Sequence, residues 1–236
     1  MKLALVTIGQ TPRTDILKDI ADFLENIDYV EYGALDSLTR KQIEQQYFPR
    51  ENEEFYVTRL ADGTEVKLSK KRITDRLKKL VKEVENKADI IVIMCTGDFE
   101  IKSNKIIIIP SKIMTKIVEA LSPKKIAVFI PDKKQTQMTL NKWSNIVEYT
   151  SIYPWSPYTD SVETLQKHAK KAREVDLVVM DCIGYTKEHG KTVSKYSGKP
   201  VLLPRILAIA TALSFITSTE IAPRHSDEKF LEEKIA

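Results

Sequence analysis

Short apolar runs alternate along the chain with longer stretches in which apolar residues recur every three or four positions. The short runs have the length and continuous apolar character of strands buried on both faces of a sheet, and the longer stretches have the period of amphipathic helices. The predicted strands are residues 3–8, 29–33, 89–94, 105–109, 125–130, 147–153, 176–180 and 201–203. The alternation therefore predicts an α/β fold with parallel sheets covered by helices on both faces.

Two local signals refine this prediction. Strand-like residues 55–60 and 64–68 flank Asp62-Gly63, which predicts a β-hairpin inserted between βα units. At the first helix, Thr11 suits the N-cap and Pro12 the first helical position. Asp132 is predicted to cap a helix that runs to about Trp143.

A repeat divides the chain into two similar halves. In each half the third strand leads into Cys-x-Gly, at Cys95-Thr-Gly97 and Cys182-Ile-Gly184, and a later strand ends at a proline that opens an apolar helix, at Pro110 and Pro204. We therefore predict two doubly wound parallel-sheet halves related by pseudo-two-fold symmetry. The predicted units are an N-terminal half with the hairpin (1–122), a C-terminal half (123–220) and a polar tail (221–236).

Composition and charge narrow the possible partners. The 236 residues carry 37 basic and 33 acidic side chains, a net charge of +4. Most of the excess lies on the polar face of a helix within residues 67–87, without interleaved aromatic residues, so a solvated surface is favoured over a nucleic-acid patch. The longest apolar run, 206–216, is shorter than the ~20 residues of a membrane helix, and no signal-peptide core is present. We predict a cytoplasmic protein that binds neither membrane nor nucleic acid.

The cysteine and histidine positions indicate neither a disulfide nor a metal site. The two cysteines form no C-x-x-C motif, and His168, His189 and His225 show no ligand spacing. The helix at 206–216 is apolar nearly all round, which is typical of a core or of a subunit interface, so a homo-oligomer is predicted as one of two outcomes.

Chemistry is expected at the loops that follow the strands, because open parallel sheets bind ligands beyond the carboxyl ends of their strands. If the strand ends of the halves face each other, Cys95 and Cys182 line one cleft. One thiolate would remove a proton from the carbon next to a carboxylate, the opposite thiol would return one to the other face, and no cofactor is needed. Gly97 and Gly184 would let backbone N–H groups approach the substrate. The alternative is that each cysteine is a small buried apolar residue.

Other residues remain open between two roles. The segment Gly9-Gln-Thr-Pro-Arg13 opens a helix and suits a carboxylate, or Arg13 is simply solvated. The loop 153–158 either walls the cleft or packs on the surface. Asp181 is predicted to accept backbone hydrogen bonds rather than to orient a partner, and Arg205 faces either the cleft or solvent.

These motifs resemble the AroM family, whose members resemble the aspartate/glutamate racemase superfamily. The resemblance rests on residues 7–15, 58–63 and 156–158, on Cys95-Thr-Gly97, on residues 181–186 and on residues 200–203. It implies two pseudo-symmetric halves with a site between them. The residues expected at that site are the catalytic pair Cys95 and Cys182 and the substrate-binding residues Gly9, Gln10, Arg13, Thr96, Gly97, Ile183, Gly184 and Tyr185.

The chain departs from the amino-acid racemases of that superfamily. Where those enzymes carry Asp-Ser, Cys-Asn-Thr and Cys-Thr-His, this chain carries Gly9-Gln10, Cys95-Thr-Gly97 and Cys182-Ile-Gly184. The thiols match and the polar neighbours do not, which argues for a carboxylate substrate other than aspartate or glutamate. We therefore expect a cofactor-independent racemase, epimerase or isomerase of a small carboxylic acid. The alternative is a carboxylate-binding or regulatory protein that kept the cleft and lost the chemistry.

Overall fold

The structure, a computed structural model, describes residues 1–220. The predicted polar tail at 221–236 lies outside the described residues. The strands are β1 (Lys2–Thr7), β2 (Asp28–Gly33), β3 (Phe55–Arg59), β4 (Glu65–Ser69), β5 (Ile90–Ile93), β6 (Ile106–Ile108), β7 (Lys125–Ile130), β8 (Tyr149–Pro154), β9 (Leu177–Met180) and β10 (Val201–Leu202). The α-helices are α1 (Thr14–Leu24), α2 (Arg40–Tyr47), α3 (Lys70–Val84), α4 (Pro110–Leu121), α5 (Thr136–Trp143), α6 (Val162–Lys171), α7 (Lys187–Ser197) and α8 (Pro204–Glu220).

Two four-stranded parallel sheets have the same order of equivalent strands. The N-terminal sheet runs β2-β1-β5-β6, and the C-terminal sheet runs β8-β7-β9-β10. The two central strands of each sheet are entirely or almost entirely buried, as their continuous apolar sequences predict. The α/β fold with two similar halves is therefore confirmed.

The hydrogen-bond register shows which residues of the halves are equivalent. Ile93 lies opposite Val6 and Met180 opposite Phe129, and the next backbone N–H groups, of Met94 and Asp181, donate to the carbonyls of Val6 and Phe129. Met94 is thus equivalent to Asp181. The cysteines that follow them occupy equivalent positions.

The last helix of each half packs on the sheet of the other half. Helix α4 buries Met114 and Val118 against Ile126 and Val128 of β7, in the C-terminal sheet. Helix α8 buries residues 208, 209, 212 and 216 against the outer face of β1 and β5, together with α1. The apolar sequence of α8 is explained by this position in the core of the chain, so this helix no longer supports a homo-oligomer, which stays a prediction.

The inserted hairpin forms as predicted. Strands β3 and β4 pair in antiparallel fashion, and Gly63 takes a positive φ of 89° in the turn between them. The capping role of Asp132 is also confirmed, because its carboxylate accepts a hydrogen bond from the backbone N–H of Lys134 at the start of a short 3₁₀ turn before α5.

Two helices differ from the sequence prediction, one in where it begins and one in that it was not predicted. Helix α1 begins at Thr14, after a cis Thr11–Pro12 peptide, and not at Pro12. The Thr11 side chain does not cap the helix, because it donates to the carboxylate of Asp36 at 2.8 Å. Helix α7 was not predicted because few of its residues are apolar. Its ends are fixed by a capping box at Thr186 and by Gly198 in the left-handed conformation.

Within residues 1–220, no helix combines the length and apolar character needed to cross a membrane.

The packing of α8 on the N-terminal sheet can be tested by stability measurements. Replacing the fully buried Ile209 by Ala should lower the free energy of unfolding by about 2–5 kcal/mol, because the cavity would lie between α8 and the N-terminal sheet. The matched control is Phe215→Ala on the same helix, where the side chain is 43% exposed and the loss should stay near 0.5 kcal/mol. Urea unfolding measures both. Equal losses would contradict the packing described here.

Candidate active site

Cys95 and Cys182 lie just beyond the carboxyl ends of β5 and β9, the equivalent strands of the two sheets. Each sulfur accepts a hydrogen bond at 3.4 Å from the backbone N–H two residues later, from Gly97 and Gly184. Both thiols are free, and both residues are only 5% exposed. The Cys-x-Gly repeat thus builds the same tight loop twice.

The glycines of these loops are required by close packing. A Cβ at Gly97 would lie 2.5 Å from the ring of Phe99 and 2.7 Å from that of Tyr56. A Cβ at Gly184 would lie 2.4 Å from the hydroxyl oxygen of Tyr158. Neither site leaves room for a side chain, because aromatic rings pack directly against each glycine.

Both cysteines line one cavity of about 300 Å³. The cavity is bounded by both cysteine loops, by the hairpin and by α5 with the turn that precedes it. Its lining consists of Glu54, Tyr56, Val57, Lys70, Cys95, Thr96, Gly97, Asp98, Ile130, Pro131, Gln135, Met138, Thr139, Asn141, Lys142, Asp181, Cys182 and Ile183. The two sulfurs therefore reach a common space from opposite halves.

Two ion pairs supply the cations of the cavity wall. The ammonium of Lys142 lies 2.8 Å from Asp181 Oδ2, and that of Lys70 lies 2.8 Å from Glu54 Oε2. The indole N–H of Trp143 donates to the same oxygen of Asp181 at 3.1 Å. The prediction that Asp181 accepts backbone hydrogen bonds is therefore wrong, because two side chains of α5 occupy its carboxylate.

Thr96 and Ile183 follow the two cysteines and line the cavity at equivalent positions. Among the described residues, neither backbone N–H donates a hydrogen bond to protein. The side chain of Thr96 donates at 3.1 Å to the carbonyl of Asp181, which joins the two cysteine loops directly. These two backbone N–H groups thus lie at equivalent positions in the loops that line the cavity.

Burial dominates the acid–base properties of the thiols. It raises the pKa of Cys95 to about 12 and the pKa of Cys182 to about 11, because a buried thiolate loses its hydration. The hydrogen bond from Gly97 or Gly184 and the charge of Arg13 act in the opposite direction at both sites. A thiolate at Cys182 would also raise the pKa of Cys95. Both thiols are therefore neutral at pH 7.

Arg13 provides this positive charge from behind the cavity. Its Nε and Nη2 donate to the two carboxylate oxygens of Asp15 at 2.9 and 2.8 Å, and its Nη1 donates to Thr7 Oγ1 at 3.1 Å. Further bonds of 3.4 Å reach the hydroxyls of Thr58 and Tyr158. Arg13 is only 3% exposed, so it is not the solvated residue that one reading of the sequence allowed.

The hairpin is fastened to the C-terminal half by polar contacts on both of its strands. The side-chain amide of Gln135 donates to the carbonyl of Phe55 at 2.9 Å, and Ser156 Oγ donates to Glu65 at 2.6 Å. Lys67 forms an ion pair with Asp132. The loop 153–158 therefore holds the hairpin over the cavity rather than lining the cavity itself.

The described residues contain no group of three or more His, Cys, Asp or Glu side chains that could hold a metal ion. Burial lowers the pKa of His189 to about 4, so its ring is neutral, and its Nδ1 accepts the backbone N–H of Thr186 in the cap of α7. His168 packs against the rings of Phe129 and Tyr153, and His225 lies outside the described residues.

Comparison with known sequences decides the family. The AroM family, described as AroM protein, matches residues 3–214. The chain belongs to the AroM family. No curated protein sequence matches it significantly.

Solved structures share the fold of this AroM-family chain at low sequence identity. Allantoin racemase from Klebsiella pneumoniae gives a TM-score of 0.61 at 8% identity, covering 93% of this chain and 89% of the racemase. A Nocardia farcinica maleate cis-trans isomerase mutant with a covalently bound succinylcysteine intermediate gives 0.59 at 11%, covering 92% of each chain. Aspartate racemase from Picrophilus torridus gives 0.58 at 15%, covering 91% and 94%. The predicted racemase-like fold is therefore confirmed.

The structure gathers half of the predicted site residues at the cavity of the AroM chain. Cys95, Thr96, Gly97, Cys182 and Ile183 all line it. Their shared positions follow from the duplicated strand-end loops. The roles of these residues in catalysis or substrate binding stay predictions.

The other five predicted residues lie outside the lining and have structural partners there. Gly9 abuts the hairpin backbone, since a Cβ would lie 2.3 Å from the carbonyl oxygen of Arg59. The Gln10 amide bridges the carbonyls of residues 35 and 38 and the N–H of Ala61. The buried Tyr185 donates to the carbonyl of Trp155 at 2.8 Å. Gly184 accommodates Tyr158, and Arg13 is occupied as described above.

Lys142 and Lys70 were not among the predicted site residues. Their sequence surroundings look like ordinary polar faces of α5 and α3, and only the packing of the hairpin and α5 around the cysteine loops turns these faces toward a cavity. No spacing in the sequence indicates that arrangement.

The raised thiol pKa values predict a distinctive alkylation profile. From pH 7 to 10, the iodoacetamide rate at each cysteine should rise about tenfold per pH unit without a plateau, because the thiolate fraction keeps growing up to a pKa near 11 or 12. Peptide mass spectrometry resolves the two sites.

The control for this experiment is the protein unfolded in guanidinium. There both cysteines should react alike, with a plateau above a pKa of about 8.5. A plateau near that value in the folded protein would contradict the buried, neutral thiols.

Proposed function

We propose that this protein is a cofactor-independent racemase, epimerase or isomerase of a small carboxylic acid, with Cys95 and Cys182 as its acid and base. The observation that carries the proposal is the convergence of two equivalent thiols on one cavity from opposite halves of a duplicated fold. A volume of about 300 Å³ is at the lower end of small-molecule sites and suits a compact substrate.

The proposed reaction moves two protons and leaves no net change in the enzyme's charge. The thiolate of one cysteine takes the proton from the carbon next to the carboxylate, and the C–H electron pair moves onto the carboxylate oxygens. The thiol of the other cysteine then gives its proton to the opposite face of that carbon and becomes the thiolate. The configuration at carbon is inverted, and the two cysteines exchange roles.

Backbone donors support the charge that develops on the substrate. The unpaired N–H groups of Thr96 and Ile183 stand next to the two cysteines and can donate to the carboxylate oxygens. The ammonium of Lys142, beside Cys182 through its pair with Asp181, adds a cation to the same wall. These groups replace the Arg13 guanidinium, whose nitrogens already bind protein atoms, as the proposed carboxylate contacts.

The high thiol pKa values affect this chemistry in two ways. At pH 7 the thiolate of Cys182 is scarce, and forming it against a pKa of about 11 costs roughly 5 kcal/mol, at 1.4 kcal/mol per pH unit. A thiolate that is costly to form is also a strong base, and the α-proton of a carboxylic acid is weakly acidic. The cost fits within the total barrier of an enzyme that turns over about once to a thousand times per second.

Relatives of the same fold support this class of reaction. Aspartate racemase and allantoin racemase invert a stereocentre, and the maleate isomerase is seen with its substrate carbon bound to cysteine. By analogy, a single-thiol route is the main variant of the proposal. In that route the thiolate adds to a carbon–carbon double bond, the single bond rotates, and elimination restores the thiolate.

Hydrogen exchange tests the two-thiol mechanism. The protein should exchange the α-proton of at least one compound in a panel of enantiopure small hydroxy, amino and alkyl carboxylic acids in D₂O, followed by proton NMR, and should racemise it. Cys95→Ser and Cys182→Ser should each reduce racemisation by about 10²-fold or more, because each face needs its own proton-transfer group. Full activity in either variant would exclude the two-thiol mechanism. Isomerisation of an unsaturated acid added to the panel, with only one cysteine essential, would favour the single-thiol route.

A second candidate is a non-catalytic carboxylate-binding protein, and the neutral thiols are the observation that favours it. In that case small carboxylates should raise the midpoint of thermal unfolding, since a ligand that binds only the folded state stabilises it. The Cys95→Ser/Cys182→Ser double variant would keep this response, and no panel compound would exchange or isomerise. Scanning fluorimetry and the NMR assay, run on the same panel, separate the two functions.

A further inference from the structure

The two cysteine loops are held by side chains at equivalent places in the repeat. The hydroxyl of Ser111 donates at 2.8 Å to the carbonyl of Gly97, in the Cys95 loop. The guanidinium of Arg205 donates twice to the carbonyl of Ile183, in the Cys182 loop, from Nε at 3.0 Å and from Nη2 at 2.7 Å. Each of these residues follows the proline that opens a crossing helix, α4 or α8.

Both side chains are almost or completely buried. Ser111 is 2% exposed, and Arg205 is 0% exposed. The Arg205 Nη1 also donates to the carbonyl of Asp15 and to Asp19 Oδ2 on α1, both at 3.1 Å, so its charge is paired inside the protein. Neither residue lines the cavity, so neither is placed to touch a substrate there.

The helices that carry these residues are fixed by the opposite half. Helix α4 follows the N-terminal sheet in the chain but packs on the C-terminal sheet, and α8 packs on the N-terminal sheet. The Cys95 loop is thus tied through Ser111 to a helix seated on the C-terminal sheet. The Cys182 loop is tied through Arg205 to a helix, and to α1, seated on the N-terminal sheet.

We propose that Ser111 and Arg205 are the positioning residues of the active site, each holding one cysteine loop in register with the opposite half of the fold. Ser111 holds the carbonyl of Gly97, two residues after Cys95, and Arg205 holds the carbonyl of Ile183, one residue after Cys182. Each bond thereby positions the nearby sulfur and backbone N–H of its loop. The role in catalysis rests on the function proposed above. The hold on the loops is a property of the protein alone and can be measured without a substrate.

Alkylation of the individual cysteines tests the pairing of residue with loop. In Ser111→Ala, iodoacetamide at pH 8 should modify Cys95 at least about fivefold faster. The local opening that exposes Cys95 would no longer have to break the Ser111 hydrogen bond, which is worth about 1 kcal/mol. The rate at Cys182 should stay within about twofold. In Arg205→Lys the pattern should reverse, because lysine keeps the positive charge opposite Asp19 but lacks the planar fork that grips Ile183.

The controls lie on the same helices. Thr115→Ala on α4 and Thr211→Ala on α8 remove hydroxyls that bond only to their own helix, and they should leave both rates unchanged. A merely destabilising substitution would accelerate both cysteines together. Equal changes at both sites, or none at either site, in Ser111→Ala and Arg205→Lys would overturn the assignment. Ser111→Ala is a mild change that keeps the test valid if the arginine variant folds poorly.

The same measurement separates this inference from the proposed function. If the crosswise rates appear while no panel compound reacts, the positioning stands and the reaction class is wrong. If a panel compound reacts, Ser111→Ala and Arg205→Lys should reduce kcat more than they change KM, since the loops would be misaligned around a cavity whose lining is intact.

Discussion

The exchange of helices between halves is the constraint on which the rest of the structure depends. A parallel sheet with apolar residues on both faces must be covered twice. Here one cover of each sheet comes from a helix that the chain delivers from the other half, with Val118 of α4 on one sheet and Ile209 of α8 on the other. The halves therefore cannot separate without exposing a face of each core. This fixed relation brings two strand ends, far apart in sequence, to one cavity.

The cavity that results is lined by polar groups, several of which are paired with one another. Asp181 is satisfied by Lys142 and Trp143, and Glu54 is paired with Lys70. The Lys142–Asp181 pair is largely buried, and a buried pair holds its geometry where a lone ion would be costly. The two thiols escape that cost by staying neutral, and Arg13 sets a positive potential behind both of them. A reaction in this site would therefore need to form one thiolate while the other thiol stays neutral.

Much of the fold follows from local patterns in the sequence. The apolar runs give every strand of both sheets, Asp62-Gly63 gives the hairpin, and the repeated Cys-x-Gly gives the two cysteines that line one cavity. Helix α7 escapes the pattern because only a few of its residues, such as Val193, are buried, and its caps define it instead. The role of Arg13 could not be predicted, because its partners Thr58 and Tyr158 come from the hairpin and from the other half.

The sequence repeat also pairs two residues that lie outside the Cys-x-Gly motifs. Aligning Pro110 with Pro204 places Ser111 opposite Arg205, two unlike side chains whose common task appears only once the loops they hold are seen. The register of β5 and β9 likewise makes Met94 equivalent to Asp181, again two unlike side chains. The two halves thus share backbone geometry at these positions while their side chains differ.

The hairpin makes different kinds of contact with the two halves of the protein. Its links to the C-terminal half through Gln135, Ser156 and Asp132 are hydrogen bonds and one ion pair, each of which water can replace at a net cost of about 1 kcal/mol. The two sheets, by contrast, are joined through apolar burial that water cannot replace. The hairpin also buries Val66 and Leu68 in the apolar core of the N-terminal half. Water therefore competes with its polar contacts to the C-terminal half and not with this packing, so the stronger attachment of the hairpin is to the N-terminal half.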